Sequence, residues 1–252
     1  MASLTGREIK ESGTPDAQWL PWLAQQDIRQ ITLAGLAAQS QRLVVLAPHP
    51  DDEILACGGL LAGWVQQGHA ARVIAVTDGE ASHGMADSNA CARMGARRAE
   101  ESYAGLRALG LAPACVTRLG IADGRVSDHV DALAQRLETL LQPTDLVVTT
   151  WRFDGHPDHE ATGLAASRAC GATGARLLQA PVWMWHWSQP ADTRVPWQAL
   201  HALSLGDAAM RVKWRALQCH QSQLARRGDK QDAVLVPSIV ERNSRRQEFF
   251  FL

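Results

Sequence analysis

A chain of 252 residues, 46% hydrophobic and 20% charged, can bury a sizeable core, which excludes a disordered or fibrous polypeptide. Its net charge of −1 gives no electrostatic footprint for nucleic acid or an anionic membrane. The five cysteines (Cys57, Cys91, Cys115, Cys170, Cys219) are odd in number, widely spaced and without a C-x-x-C pair, which excludes a disulfide framework and a thiolate zinc knuckle.

In chain order, residues 1–15 are polar, lack a signal-peptide apolar core and read as a loose arm. Residues 16–41 carry helical apolar spacing interrupted at Pro21. "RLVVLA" (42–47) is a short β-branched run and hence a strand, and "ACGGLLAGWVQQGH" is a helix stopped at Gly68. A strand at 71–77 ends in the turn-like "DGE". "ASHGMADSNACARMG" (81–95) is too irregular for either period; it reads as a loop able to close over a site, with His83 a remote candidate ligand. A helix at 96–110, a strand at 114–120, a helix at 130–142 and a strand at 144–150 follow. "HEATGLAASRACG" is helical and 175–187 extended, which would put Trp183, Trp185 and Trp187 on one face, in a core or at a subunit interface. Residues 207–224 return to helical spacing.

Alternation of strand and helix with short connections predicts an α/β fold: a Rossmann-like, doubly wound, mainly parallel sheet with helices on both faces. No repeat or linker divides the chain, so one domain over 1–252 is expected. No apolar stretch reaches membrane-spanning length, so a cytoplasmic protein without stable membrane anchoring is expected.

Two stretches break the apolar pattern. "HPDDE" (49–53) and "HPDHE" (156–160) each follow a strand, open a helix and combine imidazole with carboxylate. In an open parallel sheet such strand ends share one edge, so the two clusters can meet. Helix capping by the acids, worth roughly 0.3–1 kcal/mol each, does not explain the accompanying histidines. Imidazole plus carboxylate suits zinc, with ferrous iron or cobalt as alternatives. His49 and Asp52 fall on one side of a helix start, and His159 supplies a third ligand. Asp51 is then free to take a proton from a metal-activated water, and His156 to act near the reacting carbonyl. Spacing alone does not decide between Asp51 and Asp52.

At these residues the sequence resembles the LmbE/PIG-L family of metal-dependent de-N-acetylases, whose signatures are His-Pro-Asp-Asp-Glu after the first strand and a later His-x-Asp-His. The likeness runs over roughly 42–224 and leaves out the first 40 residues. It implies an LmbE-like fold, with His49, Asp52 and His159 as zinc ligands and Asp51 as general base. It further implies His156 stabilising the tetrahedral intermediate, Asp158 orienting His156 from behind, and Glu53 behind the ligands or at the helix start. Arg98 and Glu101 match an Arg-x-x-Glu pair whose arginine reaches the sugar, and Asp123 in "IADG" matches a loop that contacts sugar hydroxyls. Glu80 at a strand end and Trp151 are further candidates for the substrate pocket, and "HQSQ" (220–223) matches a late family segment without an assigned mechanism. The implied substrate is an N-acetylated sugar or glycoconjugate; a homo-oligomer is compatible with the sequence. A metal-dependent hydratase or lyase on a small acid would use the same site. A nucleotide-binding module is disfavoured, because acidic residues stand where phosphates would sit.

Overall fold

Alternate residues of the Arg42–Ala47 run pack on opposite sides of a sheet, as the two-residue period of a strand requires. The computed structural model describes residues 7, 9, 13–84, 87–227 and 232–252. Its strands are β1 (Arg29–Ile31), β2 (Arg42–Ala47), β3 (Ala70–Ala75), β4 (Val116–Arg118), β5 (Asp145–Thr150), β6 (Arg176–Ala180), β7 (Leu200–Ser204) and β8 (Gln247–Phe251). The α-helices are α1 (Asp16–Leu23), α2 (Leu33–Ala37), α3 (Asp52–Gln66), α4 (Ser88–Ala108), α5 (Val130–Glu138), α6 (Pro157–Thr173), α7 (Met184–Trp187), α8 (Asp207–Leu217), α9 (Gln221–Leu224) and α10 (Pro237–Asn243). The strands form one eight-stranded sheet in the order β1-β7-β8-β6-β5-β2-β3-β4. Neighbours run parallel except β8, which is antiparallel to β6 and β7.

Leu43 and Val45 of β2, with Val148 of β5, face Ile54, Leu61 and Trp64 of α3 and Leu217 of α8. Val44 and Leu46, with Val147, face Leu133 of α5 and Ala161, Ala165 and Ala169 of α6. The doubly wound, mainly parallel architecture expected from the sequence is therefore the one observed. The small residues of α6 let it lie close to the sheet. At Gly163 a side chain would lie 2.7 Å from the Thr150 carbonyl, so only glycine fits where α6 crosses the end of β5.

The differences from expectation lie where pairing is remote in sequence. Residues 16–41 are not continuously helical, since β1 lies between α1 and α2 and pairs with β7. α4 begins at Ser88 rather than 96, because Asp87 accepts from the amides of Asn89 and Ala90 and caps it; of the loop read at 81–95, residues 85 and 86 lie outside the described residues. Residues 183–187 turn into α7 instead of extending, so the three tryptophans do not share a face: Trp185 joins a core with Trp19, Trp151 and Phe251. β7, β8 and α10 were not expected, and the helix read at 207–224 breaks into α8 and α9. Much of the polar arm read at 1–15 lies outside the described residues, but Arg7 is buried and paired with Glu160 at 3.1 Å. Among the described residues no helix is long and apolar enough to cross a membrane, and no disulfide joins any of the five cysteines.

One internal break shapes the layer over the site. α3 leaves helical geometry at Cys57 (φ −153°, ψ 26°), which frees backbone groups on either side. Glu248 of β8 accepts from the amides of Gly59 (2.7 Å) and Leu60 (2.8 Å). Lys213 of α8 donates to the Leu55 carbonyl (3.1 Å) and to Glu248 (2.7 Å). Both side chains are buried, so each charge depends on the other. Glu248→Ala, which strands the ammonium and two amides, is expected to lower the unfolding free energy by about 3–5 kcal/mol in urea titrations. A loss within the range of an exposed substitution would contradict the assignment.

Candidate metal centre and active site

β2 and β5 pair directly, with Leu46 opposite Thr149, so the segments leaving them emerge together. From β2 the sheet winds through β3 to β4 on one side; from β5 it winds to β6 on the other. Winding reverses between β2 and β5, the position at which open α/β sheets bind ligands. The two clusters read from sequence meet there.

Asp51 adopts φ 134°, a conformation that costs a residue with a side chain about 1–3 kcal/mol and is concentrated at functional sites. At this strained turn the two aspartates diverge. Asp52 Oδ2 lies 3.2 Å from His49 Nδ1 and 3.2 Å from His159 Nε2. Asp51 Oδ2 lies instead 3.1 Å from the Arg98 guanidinium, which also donates to the carbonyls of Pro50 (2.8 Å) and Gly79 (2.9 Å). Gly79 sits at φ +64°, and a side chain there would lie 2.0 Å from Arg98, so this approach too requires glycine.

Ligands of a tetrahedral zinc with bonds of about 2.0–2.2 Å lie roughly 3.3–3.5 Å apart. The Asp52 oxygen stands near that distance from both imidazole nitrogens, so the donor set fits the metal. The nitrogens of His49, His156 and His159 also lie within 4.8 Å of one another. His49, Asp123 and Asp158 form a second close group. In that group, His49 Nε2 faces Asp123 (3.3 Å) and Asp158 (3.2 Å). Carboxylates behind a metal-binding imidazole fix its tautomer, so this arrangement leaves Nδ1 as the atom that could ligate a metal.

His159 has the same support from Asp154, which sequence reasoning missed. Asp154 Oδ2 lies 2.8 Å from His159 Nδ1, and its carboxylate also collects the amides of Val182 (2.9 Å), Trp183 (3.0 Å) and Met184 (2.9 Å). The available signal was an acid five residues before His159, in the loop after β5.

His156 caps α6, its Nδ1 accepting from the Asp158 amide at 3.2 Å. An amide only donates, so Nδ1 carries no proton and the neutral ring has its N–H on Nε2. Here the structure corrects the expected role of Asp158. It orients His156 through its backbone, while its carboxylate accepts from the amides of Gly124 (2.7 Å) and Val126 (3.2 Å) and faces His49. The side chains of Asp51 and Asp52 do not cap α3. Glu53 lies behind the turn, accepting from the Asp51 amide (3.0 Å) and the Ser102 hydroxyl (2.5 Å).

Burial works against charge throughout the site. Asp52 is nevertheless held well below the usual carboxylate range by His159 and His49. Burial lifts Asp51 to about 7 against the pull of Arg98. His159 is raised to about 9, its burial outweighed by Asp52 and Asp154; His49 is raised, against burial, by Asp123, Asp158 and Asp52. His156 is lowered to about 3 by burial and by the charges of His49 and His159. Asp123 falls to about 2, burial being overcome by His49.

A cavity of about 180 Å³ opens onto these groups, lined also by Leu55, Ser82, Trp183, Gln223, Val234 and Leu235. Of the residues expected to contact substrate, Arg98 and Asp123 are in its wall. Glu80 is not; it accepts from the Asp123 amide at 2.9 Å and shapes that turn from behind. Trp151 is not either, because it is buried and stacked on Phe251 with ring centroids 4.4 Å apart. His83 bonds Ser82 at 2.9 Å and stands outside both donor groups.

Residues 44–170 match the family described as PIG-L: GlcNAc-PI de-N-acetylase. An uncharacterized deacetylase of Escherichia coli (strain K12), YaiS, is 30% identical over 146 residues, 55% of this chain and 72% of that protein. The fold is shared with the N,N'-diacetylchitobiose deacetylase of Pyrococcus horikoshii (TM-score 0.56, 18% identity, 77% of this chain and 74% of that one). It is also shared with the zinc-inhibited form of teicoplanin deacetylase Orf2 (TM-score 0.61, 20% identity, 83% and 97%).

Because His49 and His159 hold protons above their ordinary range, a metal must displace them. Zinc loading of the metal-free protein at pH 7 should therefore release protons in a pH-stat, and affinity should fall as pH is lowered from about 9. Loading without proton release would contradict the ligand assignment. Asp154→Asn should weaken zinc binding about 10–100-fold in chelator competition, whereas unchanged affinity would remove Asp154 from the centre.

Proposed function

The chain belongs to the PIG-L family of GlcNAc-PI de-N-acetylases, and from that premise we propose that it is a zinc-dependent hydrolase removing an N-acetyl group from an amino sugar or glycoside. The observation that carries the reading is the convergence of His49 Nδ1, Asp52 Oδ2 and His159 Nε2 beside a separate buried carboxylate, Asp51. The family description supports an amino-sugar amide as substrate.

His49, Asp52 and His159 would hold the zinc, which would supply Lewis acidity to an acyl carbonyl and lower the pKa of water toward neutrality. Asp51, which burial lifts to about 7 in the metal-free protein, is suited to act as a general base near neutral pH. It takes a proton from the attacking water as the oxygen adds to the acyl carbon. The Nε2–H of His156 donates to the oxyanion that develops on the former carbonyl oxygen. When the C–N bond breaks, Asp51 returns its proton to the leaving nitrogen, giving carboxylate and amine. Arg98 holds Asp51 in place, while Asp123 and Asp158 hold His49.

The test is amine release from N-acetylated sugars and glycosides by zinc-loaded and chelator-stripped protein. Release should require metal, and Asp51→Asn should lower kcat about 10²–10⁴-fold while zinc content is kept. Full activity in Asp51→Asn removes that residue as the base. Hydration or elimination products from a small acid, with no amine, favour the lyase reading of the same centre.

A further inference from the structure

Glu101 on α4 and the segment "HQSQ" at the start of α9 meet beside the cavity. Glu101 accepts from the Ser222 amide at 2.9 Å and from the Ser222 hydroxyl at 2.6 Å. Gln223 Nε2 donates to Ser222 Oγ at 2.8 Å. This chain of bonds determines which way the Gln223 amide points. An ionised carboxylate only accepts, so the Ser222 hydrogen is committed to Glu101 and Ser222 Oγ can only accept from its other neighbour. The Gln223 atom beside it must be the NH₂, and the carbonyl oxygen occupies the opposite edge.

That oxygen, Oε1, is buried and has no hydrogen-bond partner among the described residues, although Gln223 is fully inaccessible to solvent and belongs to the cavity wall. A buried carbonyl without a donor is uncommon and costly. Across the same small cavity stand Asp51, Asp123, His156 and the ligands of the metal centre. Acceptors are plentiful there, but Gln223 contributes a neutral one whose strength does not vary with protonation or metal loading.

We propose that Gln223 is a substrate-recognition residue. Its carbonyl oxygen accepts a hydrogen bond from a donor on the acylated amino sugar, either the amide N–H or a hydroxyl next to it. Glu101 and Ser222 are positioning residues that hold the amide in this orientation. The inference rests on the deacetylase reading for the class of ligand, and on the unpartnered oxygen for the residue.

The experiment measures binding by ligand-observed NMR in zinc-loaded Asp51→Asn protein, where turnover is suppressed, with and without Gln223→Met. The probes are N-acetylglucosamine, its 3-deoxy analogue and its N-methylated amide. Methionine keeps the length of the side chain and removes the acceptor. The expected result is binding of N-acetylglucosamine about tenfold weaker with Gln223→Met. The analogue lacking the contacted donor should bind both proteins alike, and its identity tells whether the donor is the amide or the hydroxyl. Ser222→Ala, which releases the amide from its fixed orientation, should give a smaller loss with the same selectivity; it serves if Gln223→Met fails to fold. Equal binding of all three probes by both proteins overturns the proposal. So does an equal deficit for all three, or no binding to the parent protein. Amine release by the unmodified protein is scored separately: the expected binding pattern without amine release would defeat the deacetylase reading and leave the role of Gln223 intact.

Discussion

The bidentate ion pair between Arg42 and Asp145 sits at the foot of the two strands on which the site depends. These residues are opposite each other in the register of β2 and β5, with Nε to Oδ1 at 2.9 Å and a terminal guanidinium nitrogen to Oδ2 at 2.7 Å. Asp145 is buried, and its Oδ2 also accepts from the Gln142 amide at 2.8 Å, so that oxygen has two donors. A one-residue slip would separate the pair and turn every apolar side chain of the strand to the wrong layer. With the register held at the foot, the heads of the strands place His49 and His159 on either side of one carboxylate oxygen of Asp52.

The edge above is rich in buried acids, and each is tolerated for a specific reason. Asp52 lies between two imidazoles, Asp51 against a guanidinium, Asp154 against three backbone amides and His159, and Asp158 against two amides and His49. These supports do more than neutralise. Those behind His49 and His159 determine which ring nitrogen is left for a metal, and the amide behind His156 leaves its N–H facing outward. Asp51 differs because its single cationic partner does not offset burial, so its carboxyl stays near neutrality. Two adjacent aspartates thus acquire opposite acidities from their surroundings, which supports the proposal that one binds a metal and the other moves a proton.

The layer covering this edge is built around exceptions to helical regularity. α3 breaks after its first turn, and the buried Lys213–Glu248 pair replaces the hydrogen bonds lost at the break, so the turn carrying Asp52 and Glu53 is set independently of the rest of the helix. Gly79 and Gly163 permit contacts that any side chain would block, one bringing Arg98 to Asp51 and the other bringing α6 against the end of β5. α4 and α9 then contribute Arg98 and Gln223 to the cavity wall, with Glu101 of α4 bonded to Ser222 of α9 behind them.

From the sequence alone, the alternation of β-branched runs with amphipathic segments determined the doubly wound fold. Two compact clusters of histidine and aspartate marked the candidate centre, because those residue types are unusual at the mouths of buried strands. Contacts between distant segments were not legible. β1, β7 and β8 are short, and their partners lie far along the chain, so no local period marks them. Asp154 is an unremarked acid in a loop until β6 and α7 bring three amides to it. Trp151, Glu80 and the carboxylate of Asp158 sit at sequence positions suited to a pocket, yet packing on Phe251 and bonding to the Asp123, Gly124 and Val126 amides send them elsewhere. Residue identity determined which chemistry was available; the direction of each side chain, and with it the different surroundings of Asp51 and Asp52, was decided by tertiary packing, because hydrogen-bond partners and desolvation belong to the folded surroundings and not to the local sequence.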